Sequence, residues 1–118
     1  MPVTLRTEAV GAVFVAAVAG ELDDHAADGL RAALDRELDK LALPRLVLDL
    51  GGITFMDSAG LGVILGRYRR IRERGGDMAI AAAPPAVGKL LAISGLHKLM
   101  RVYSRRQDAI RSFKEVSR

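Results

Sequence analysis

Hydrophobic residues follow a strand-like pattern in some segments of the chain and a helical spacing of three to four residues in others. The two kinds of segment alternate, which predicts strands and helices in turn. Two short apolar stretches, 3–10 and 12–19, flank Gly11 and predict a hairpin of two strands. Helical spacing follows in the next segment, whose apolar face comprises Ala26, Ala27, Leu30, Leu34, Leu38 and Leu41. Pro44 is expected to end this helix, and the run 45–50 is apolar enough for a buried strand.

The remaining segments repeat the order of strand and helix. Turn and capping residues are expected at 20–24, before the first helix. Beyond the third strand, the pattern predicts a loop over 51–57, a helix from Ala59 to about Arg74, a strand over 78–82, a helix from Pro84 to Ser94, a strand over 99–103 and a helix over 107–116. Gly75 and Gly76 fit the end of the second helix, where a left-handed backbone is common.

Strands that alternate with helices predict an α/β fold, because helical crossovers join parallel strands. We expect one domain over 1–118, with a mostly parallel mixed sheet of about five strands, about four helices and the N-terminal hairpin at the sheet edge. Half of the residues are hydrophobic but aromatics make up only 4%, so the core must be aliphatic. The chain has no cysteine, which excludes disulfides, thiol catalysis and cysteine-based metal sites.

The formal net charge of +4 comes from basic residues that cluster in two places. They are Arg67, Arg69, Arg70, Arg72 and Arg74 on the second helix, and Arg101, Arg105, Arg106, Arg111, Lys114 and Arg118 near the C-terminus. We expect the first set to be a solvated face, because the apolar positions of its helix are intact. We expect no direct nucleic-acid binding, because no helix-turn-helix, zinc knuckle or stacking aromatic accompanies the arginines. The apolar run 9–20 is too short to cross a bilayer, so we expect a cytoplasmic protein.

One hydroxyl lies where the third strand should give way to the second helix, in the run Met-Asp-Ser-Ala-Gly-Leu-Gly at 56–62. Ser58 falls near the N-cap, where free N–H groups and the helix dipole favour negative charge. Such a serine either caps the helix or receives a phosphate. Gly60 and Gly62 each lower helix propensity by about 1 kcal/mol relative to alanine. They fit either a bare backbone for a partner to approach or tight packing against the sheet, and the same two alternatives hold for Gly66.

The sequence gives little evidence for serine hydrolysis, nucleotide binding or metal binding. A serine hydrolase is the alternative from another class, but Met56 replaces the first glycine of its G-x-S-x-G motif. The histidine in the right chain order, His97, follows a helix break and nothing directs it toward Ser58. The glycines match neither nucleotide-binding fingerprint, and the consecutive residues 23–25 are better suited to capping than to metal. We therefore expect no catalytic residue, metal or cofactor.

Several of these segments together resemble the anti-sigma factor antagonists of the STAS domain family. The resemblance rests on Gly20-Glu21-Leu22-Asp23, the strand 46–50, the segment 55–68, Pro85-Ala86-Val87 and Ser94-Gly95-Leu96. It covers nearly the whole chain and is greatest to the sporulation antagonists that free sigma-F. An antagonist of a stress-response anti-sigma factor with the same switch is the alternative within the family.

The resemblance implies a regulator that is not an enzyme and works by partner switching. The unphosphorylated form would bind an anti-sigma factor that is also a serine kinase, and so free the sigma factor. That kinase would use ATP to phosphorylate Ser58, which ends the binding, and a PP2C-type serine phosphatase would reverse the modification. The implied partner-binding residues are Asp23, Asp57, Ser58, Gly60, Leu61 and Gly62. We expect a monomer, and direct binding of a nucleotide or lipid stays open.

Overall fold

The computed structural model describes residues 3–116, which form one five-stranded sheet with helices on both faces. The elements are β1 (Thr4–Val10), β2 (Val13–Leu22), α1 (Asp24–Leu38), β3 (Arg45–Met56), α2 (Ser58–Glu73), β4 (Asp77–Ala81), α3 (Pro85–Ser94), a 3₁₀ turn (Leu96–Lys98), β5 (Arg101–Tyr103) and α4 (Arg106–Val116). The strands lie side by side in chain order; β1 pairs antiparallel with β2, and every other pair is parallel. The predicted mixed sheet, four helices and edge hairpin are confirmed.

The core has two layers because the central strand is buried on both faces. Leu46, Leu48 and Leu50 of β3 pack in the larger layer, between the sheet and helices α1, α2 and α3. Val47 points the other way and packs with Phe113 of α4. A strand covered on both sides reads as a continuous apolar run, which is why β3 was recognisable from sequence.

The predicted loop over 51–57 is wrong for residues 51–56, because β3 continues through them to Met56. Its extension pairs with the end of β2, which runs through residues predicted as a turn: Gly52 lies beside Ala19, and Met56 beside Leu22. The glycine pair allows close approach of strands rather than a turn. A Cβ on Gly52 would lie 2.6 Å from the Cβ of Ala19.

Two other boundaries differ from the prediction. Helix α1 ends at Leu38, so Leu41 packs against the core from the connecting segment. Strand β5 begins at Arg101 rather than 99, since the chain first forms the 3₁₀ turn after α3. Gly95 separates the two with a left-handed backbone (φ +81°), which a side chain would disfavour.

The arginines of α2 do not all form a solvated face, and that prediction is wrong for Arg67, which is 7% exposed. Its Nε atom lies 2.9 Å from Oδ1 of Asp35 on α1. Arg70 donates to both carboxylate oxygens of Asp39, at 2.8 and 3.1 Å. Arg74 donates to a backbone carbonyl at the end of α1, at 2.8 Å. We call these five residues the α1–α2 ion-pair cluster; they join the two helices.

The ion-pair cluster shifts two pKa values in directions set by its geometry. The hydrogen bond from Arg70 holds the pKa of Asp39 below its ordinary value of 3.8. Burial lowers the pKa of Arg67, against the attraction of Asp35. Because the pKa of Asp39 is depressed in the folded state, its contribution to stability is present above pH 3.8. That contribution is lost as the pH falls through the lowered value.

Candidate functional site

Ser58 lies at the C-terminal end of the parallel strands, where the strands stop and the helices begin. Strands β2, β3 and β4 lead into α1, α2 and α3, so three helix N-termini lie at this end of the sheet. Each N-terminus carries partial positive charge. Leu22 and Met56 are paired neighbours, and the N–H of Asp57 donates to the carbonyl of Leu22 at 3.4 Å. The next residues, Asp23 and Asp57, are therefore brought together as the N-caps of adjacent helices.

Asp57, not Ser58, caps α2. Its Oδ1 atom accepts from the N–H groups of Ala59 at 3.0 Å and Gly60 at 3.3 Å. Asp23 caps α1 in the same way, accepting from Ala26 at 3.0 Å. Ser58 is the first residue of α2 and is exposed, and its hydroxyl makes no hydrogen bond to any part of the chain that the structure describes. The capping alternative for this serine is therefore wrong.

The first turn of α2 leaves little for a phosphate on Ser58 to bind. The N–H groups of Ala59 and Gly60 are already held by Asp57, and that of Leu61 donates to the Asp57 carbonyl at 3.2 Å. A phosphate would compete with a carboxylate of like charge for the same donors. Added negative charge here is exposed and lies next to Asp57 in the chain.

Packing explains why glycine is present at only one of the three glycine positions in α2. Gly60 is buried, and a Cβ there would lie 2.6 Å from Cγ of Met56 and 3.0 Å from Cγ of Leu22. Packing alone accounts for this glycine. A Cβ on Gly62 or Gly66 would meet nothing within 4 Å, and Gly62 is exposed. Packing against the sheet therefore explains neither of them, and Gly62 leaves bare backbone one turn from Ser58.

Alanine substitution should separate these glycines by the sign of its effect on stability. We expect Gly60→Ala to lower the free energy of unfolding by about 1–2 kcal/mol, since overpacking exceeds the gain in helix propensity. Gly62→Ala should raise it by about 0.5–1 kcal/mol. Urea denaturation measures both. Equal effects of the two substitutions would contradict the assignment.

One large exposed apolar side chain beside the site, Phe55, was not among the predicted partner-binding residues. Phe55 is 50% exposed, three residues before Ser58, and lies beside Glu21 in the sheet. The sequence analysis placed it in the predicted loop over 51–57. Leu61 is half-buried and packs against the core, so only part of it faces solvent. Phe55 is thus a larger exposed apolar surface than the predicted Leu61.

The histidines do not supply a base for Ser58. His97 follows α3 and lines a depression with Asp77, the first residue of β4. That depression lies at the N-terminal end of the parallel strands, whereas Ser58 lies at their C-terminal end. His25 lies at the start of α1, where its Nε2 atom is 3.8 Å from Asp24. Neither histidine forms a hydrogen bond with Ser58, so the serine-hydrolase geometry is not assembled.

An open groove flanks the site on the side of the hairpin. It has a volume of about 520 Å³ and lies between β1 and α1, with Val3, Leu5, Asp23, Ala26 and Leu30 among its lining. We call it the β1–α1 groove. Residues 3–116 bring no three metal-ligating side chains around one point. Within the same span, no helix has both the length and the apolarity needed to cross a bilayer.

Comparison with known proteins gives consistent matches. The model of the STAS domain family matches residues 4–109. An anti-sigma F factor antagonist of Paenibacillus polymyxa is 41% identical over 105 residues, which is 89% of this chain and 90% of the relative. An anti-sigma-B factor antagonist of Listeria monocytogenes is 31% identical over 85 residues, 72% of this chain and 74% of the relative.

Solved structures agree with the sequence relatives. The anti-sigma factor antagonist SpoIIAA in its unphosphorylated form is 27% identical with a TM-score of 0.79, and the match covers 95% of this chain and 97% of that one. SpoIIAA of Bacillus in its phosphorylated form is 26% identical with a TM-score of 0.71, covering 93% of this chain and 99% of that one. Both matches therefore cover more than nine-tenths of this chain.

Proposed function

The chain belongs to the STAS domain family as an anti-sigma factor antagonist, and from this we propose that it works by a partner switch at Ser58. The unphosphorylated form binds an anti-sigma factor that is also a serine kinase, and the bound sigma factor is released. Sigma-F is the proposed sigma factor, because the relative at 41% identity is named an anti-sigma F factor antagonist. The observation that carries the proposal is the exposed, unbonded hydroxyl of Ser58 beside the capping carboxylate of Asp57.

The proposed modification is a phosphoryl transfer in which this chain is the substrate. The Oγ atom of Ser58 forms a bond to the γ-phosphorus of ATP held by the kinase, and the bond from that phosphorus to the β-bridging oxygen breaks. ADP leaves, and the proton of the hydroxyl passes to a base of the kinase. A PP2C-type phosphatase then hydrolyses the phosphoserine to serine and inorganic phosphate. The chain itself supplies no catalytic group and acts in the cytoplasm.

The switch follows from a difference in solvation. Two like charges about 4 Å apart repel by about 1 kcal/mol in water, and by about 4 kcal/mol at an effective dielectric of about 20. A phosphate on Ser58 therefore repels Asp57 weakly while the site is exposed, and more strongly when a partner covers it. The difference of about 3 kcal/mol is close to a hundredfold in affinity. The fold is little affected, because the helix N-terminus stabilises the charge by about 0.3–1 kcal/mol.

The proposed partner surface surrounds Ser58 at the C-terminal end of the parallel strands. Asp23 and Asp57 lie there as adjacent helix caps, and Gly62 presents bare backbone. Phe55 adds the large apolar side chain that such interfaces place at their centre. Gly60 contributes through packing, since its own atoms are buried.

Mass spectrometry of the chain after incubation with its cognate anti-sigma kinase and ATP tests the modification. We expect a single phosphate, localised to Ser58. Phosphate found on Ser94, Ser104 or Ser112 instead would contradict the site. The Ser58→Ala variant is the matched control and should stay unmodified under the same conditions.

A stress-response pathway is the second candidate, supported by the anti-sigma-B relative at 31% identity. Both candidates use the same switch, so the site does not separate them. Affinity capture from the native cell does, because it names the anti-sigma factor that the unphosphorylated chain binds. Recovery of a sigma-B inhibitor in place of a sigma-F inhibitor would favour the second candidate.

Truncation of Phe55 should weaken binding of the anti-sigma partner while the fold stays intact. We expect Phe55→Ala to lower the affinity by about tenfold or more, since exposed aromatic side chains at interface centres carry much of the binding energy. Ile93→Ala is the control, because Ile93 is 83% exposed on α3 but lies near the end of that helix farthest from Ser58. Titration calorimetry measures both. Equal loss for the two variants would exclude a special contribution from Phe55.

A further inference from the structure

β1 is an edge strand of the sheet, and within residues 3–116 no strand pairs with its outer side. Its sequence, Thr-Leu-Arg-Thr-Glu-Ala-Val, carries opposite charges on the two sides of Thr7. In an antiparallel pair centred on that threonine, Arg6 lies opposite Glu8 of the second strand, and Glu8 lies opposite its Arg6. We propose that β1 pairs in this way with β1 of a second copy of the chain, joining two sheets into one.

The charge pattern selects this register over its neighbours. A shift that keeps each side chain on its own face of the sheet must move the pairing by two positions. One such shift sets Arg6 opposite Arg6 of the second copy, and the other sets Glu8 opposite Glu8. Like charges directly opposite are destabilising, whereas opposite charges stabilise a strand pair. The self-complementary register is therefore the one centred on Thr7, and its two-fold symmetry closes the assembly at a dimer.

The side chains that would meet are already held on one face of the sheet. The Oε1 atom of Glu8 accepts from Nη1 of Arg106 on α4 at 2.9 Å, so Glu8 lies on the α4 face. Arg6 is two residues away and lies on the same face, where it lines a depression with Asp49 and Arg106. Arg6 has no ion pair with the residues that the structure describes. Glu8 of a second copy would supply one, and would then lie between two arginines.

The opposite face of the pair would carry Leu5, Thr7 and Ala9 of each copy, with the two threonines facing each other at the centre. Leu5 lies there and lines the β1–α1 groove, and it would meet Ala9 of the second copy. Pairing of seven-residue strands buries little surface compared with a stable interface, so the dimer is weak and forms at high concentration. The inference differs from the monomer expected from the sequence, and it does not depend on Ser58 or on the proposed partner.

Sedimentation equilibrium over a range of protein concentrations tests the pairing with a charge swap. Native protein should show a monomer–dimer equilibrium. Arg6→Glu and Glu8→Arg should each lower the association constant at least about tenfold. An equimolar mixture of the two variants should dimerise again, because one chain then carries two acidic residues facing two basic residues of the other. A mixture that stays monomeric would overturn the proposal.

Arg101→Glu is the matched control, because it makes the same charge change on β5 at the opposite edge of the sheet. It should leave the association constant unchanged within about twofold. An equal loss for Arg101→Glu and Arg6→Glu would mean that net charge, and not β1 pairing, governs association. Native protein that remains monomeric up to millimolar concentration would also overturn the proposal. Circular dichroism of each variant verifies that the fold is retained.

Discussion

Replacing Ser58 with aspartate is expected to weaken binding to the anti-sigma partner about a hundredfold. The new carboxylate lies on the first residue of α2, next to the Asp57 carboxylate that already holds the first-turn N–H groups. In the free chain both charges face water and repel weakly. In the complex they lose solvent, and the added repulsion of about 3 kcal/mol opposes docking. Titration calorimetry with the purified partner measures the change.

Ser58→Asn is the control that separates charge from shape. Asparagine has nearly the size of aspartate but carries no charge, so we expect it to retain affinity within about tenfold of the native chain. Both variants should unfold within about 1 kcal/mol of the native chain, because a helix N-terminus tolerates either residue. Equal weakening by asparagine and aspartate would show that steric fit, and not charge, governs the site.

Removing Arg67 is expected to be the most destabilising change in the α1–α2 ion-pair cluster. Breaking a buried ion pair by deleting one partner costs about 3–5 kcal/mol, because it strands the other charge. Asp35 keeps some solvent contact, with a side chain 23% exposed, which reduces the effect. We expect Arg67→Ala to lower the free energy of unfolding by about 2–3 kcal/mol in urea denaturation.

Two further variants determine the cause of that loss. Arg69→Ala removes an exposed arginine of the same helix and should change stability by less than about 0.5 kcal/mol. Asp35→Ala combined with Arg67→Ala removes both charges and should recover part of the loss, since no charge is then stranded. A double variant that is as unstable as the sum of its single variants would mean that lost packing, not the ion pair, is responsible.

Periodicity was sufficient to predict most of the fold. The apolar run of β3 and the helical stripe of α1 follow from their burial, and Gly75 ends the α2 region with a positive φ of 80°. The extension of β3 through Gly51 and Gly52 was not predictable, because a glycine pair is compatible with both a turn and close strand contact. Arg67 was equally ambiguous, because its charge suggests exposure, while its burial depends on Asp35 of another helix.

The sequence was sufficient to locate the candidate site, but not to assign the structural roles of its individual residues. The motif placed Ser58 at the strand-to-helix junction, which the structure bears out. Which of two neighbouring polar residues caps the helix depends on side-chain geometry, and the structure assigns Asp57. The distinction between Gly60 and Gly62 depends on Met56 and on a residue of another strand, so no local pattern contains it.

The most direct test of the switch is the stability of the preformed complex between this chain and its anti-sigma kinase, followed by size-exclusion chromatography. With ATP, the native complex should dissociate as Ser58 is modified, and with a non-hydrolysable ATP analogue it should persist. The Ser58→Ala complex should persist in both. A native complex that survives full phosphorylation of Ser58 would contradict the account.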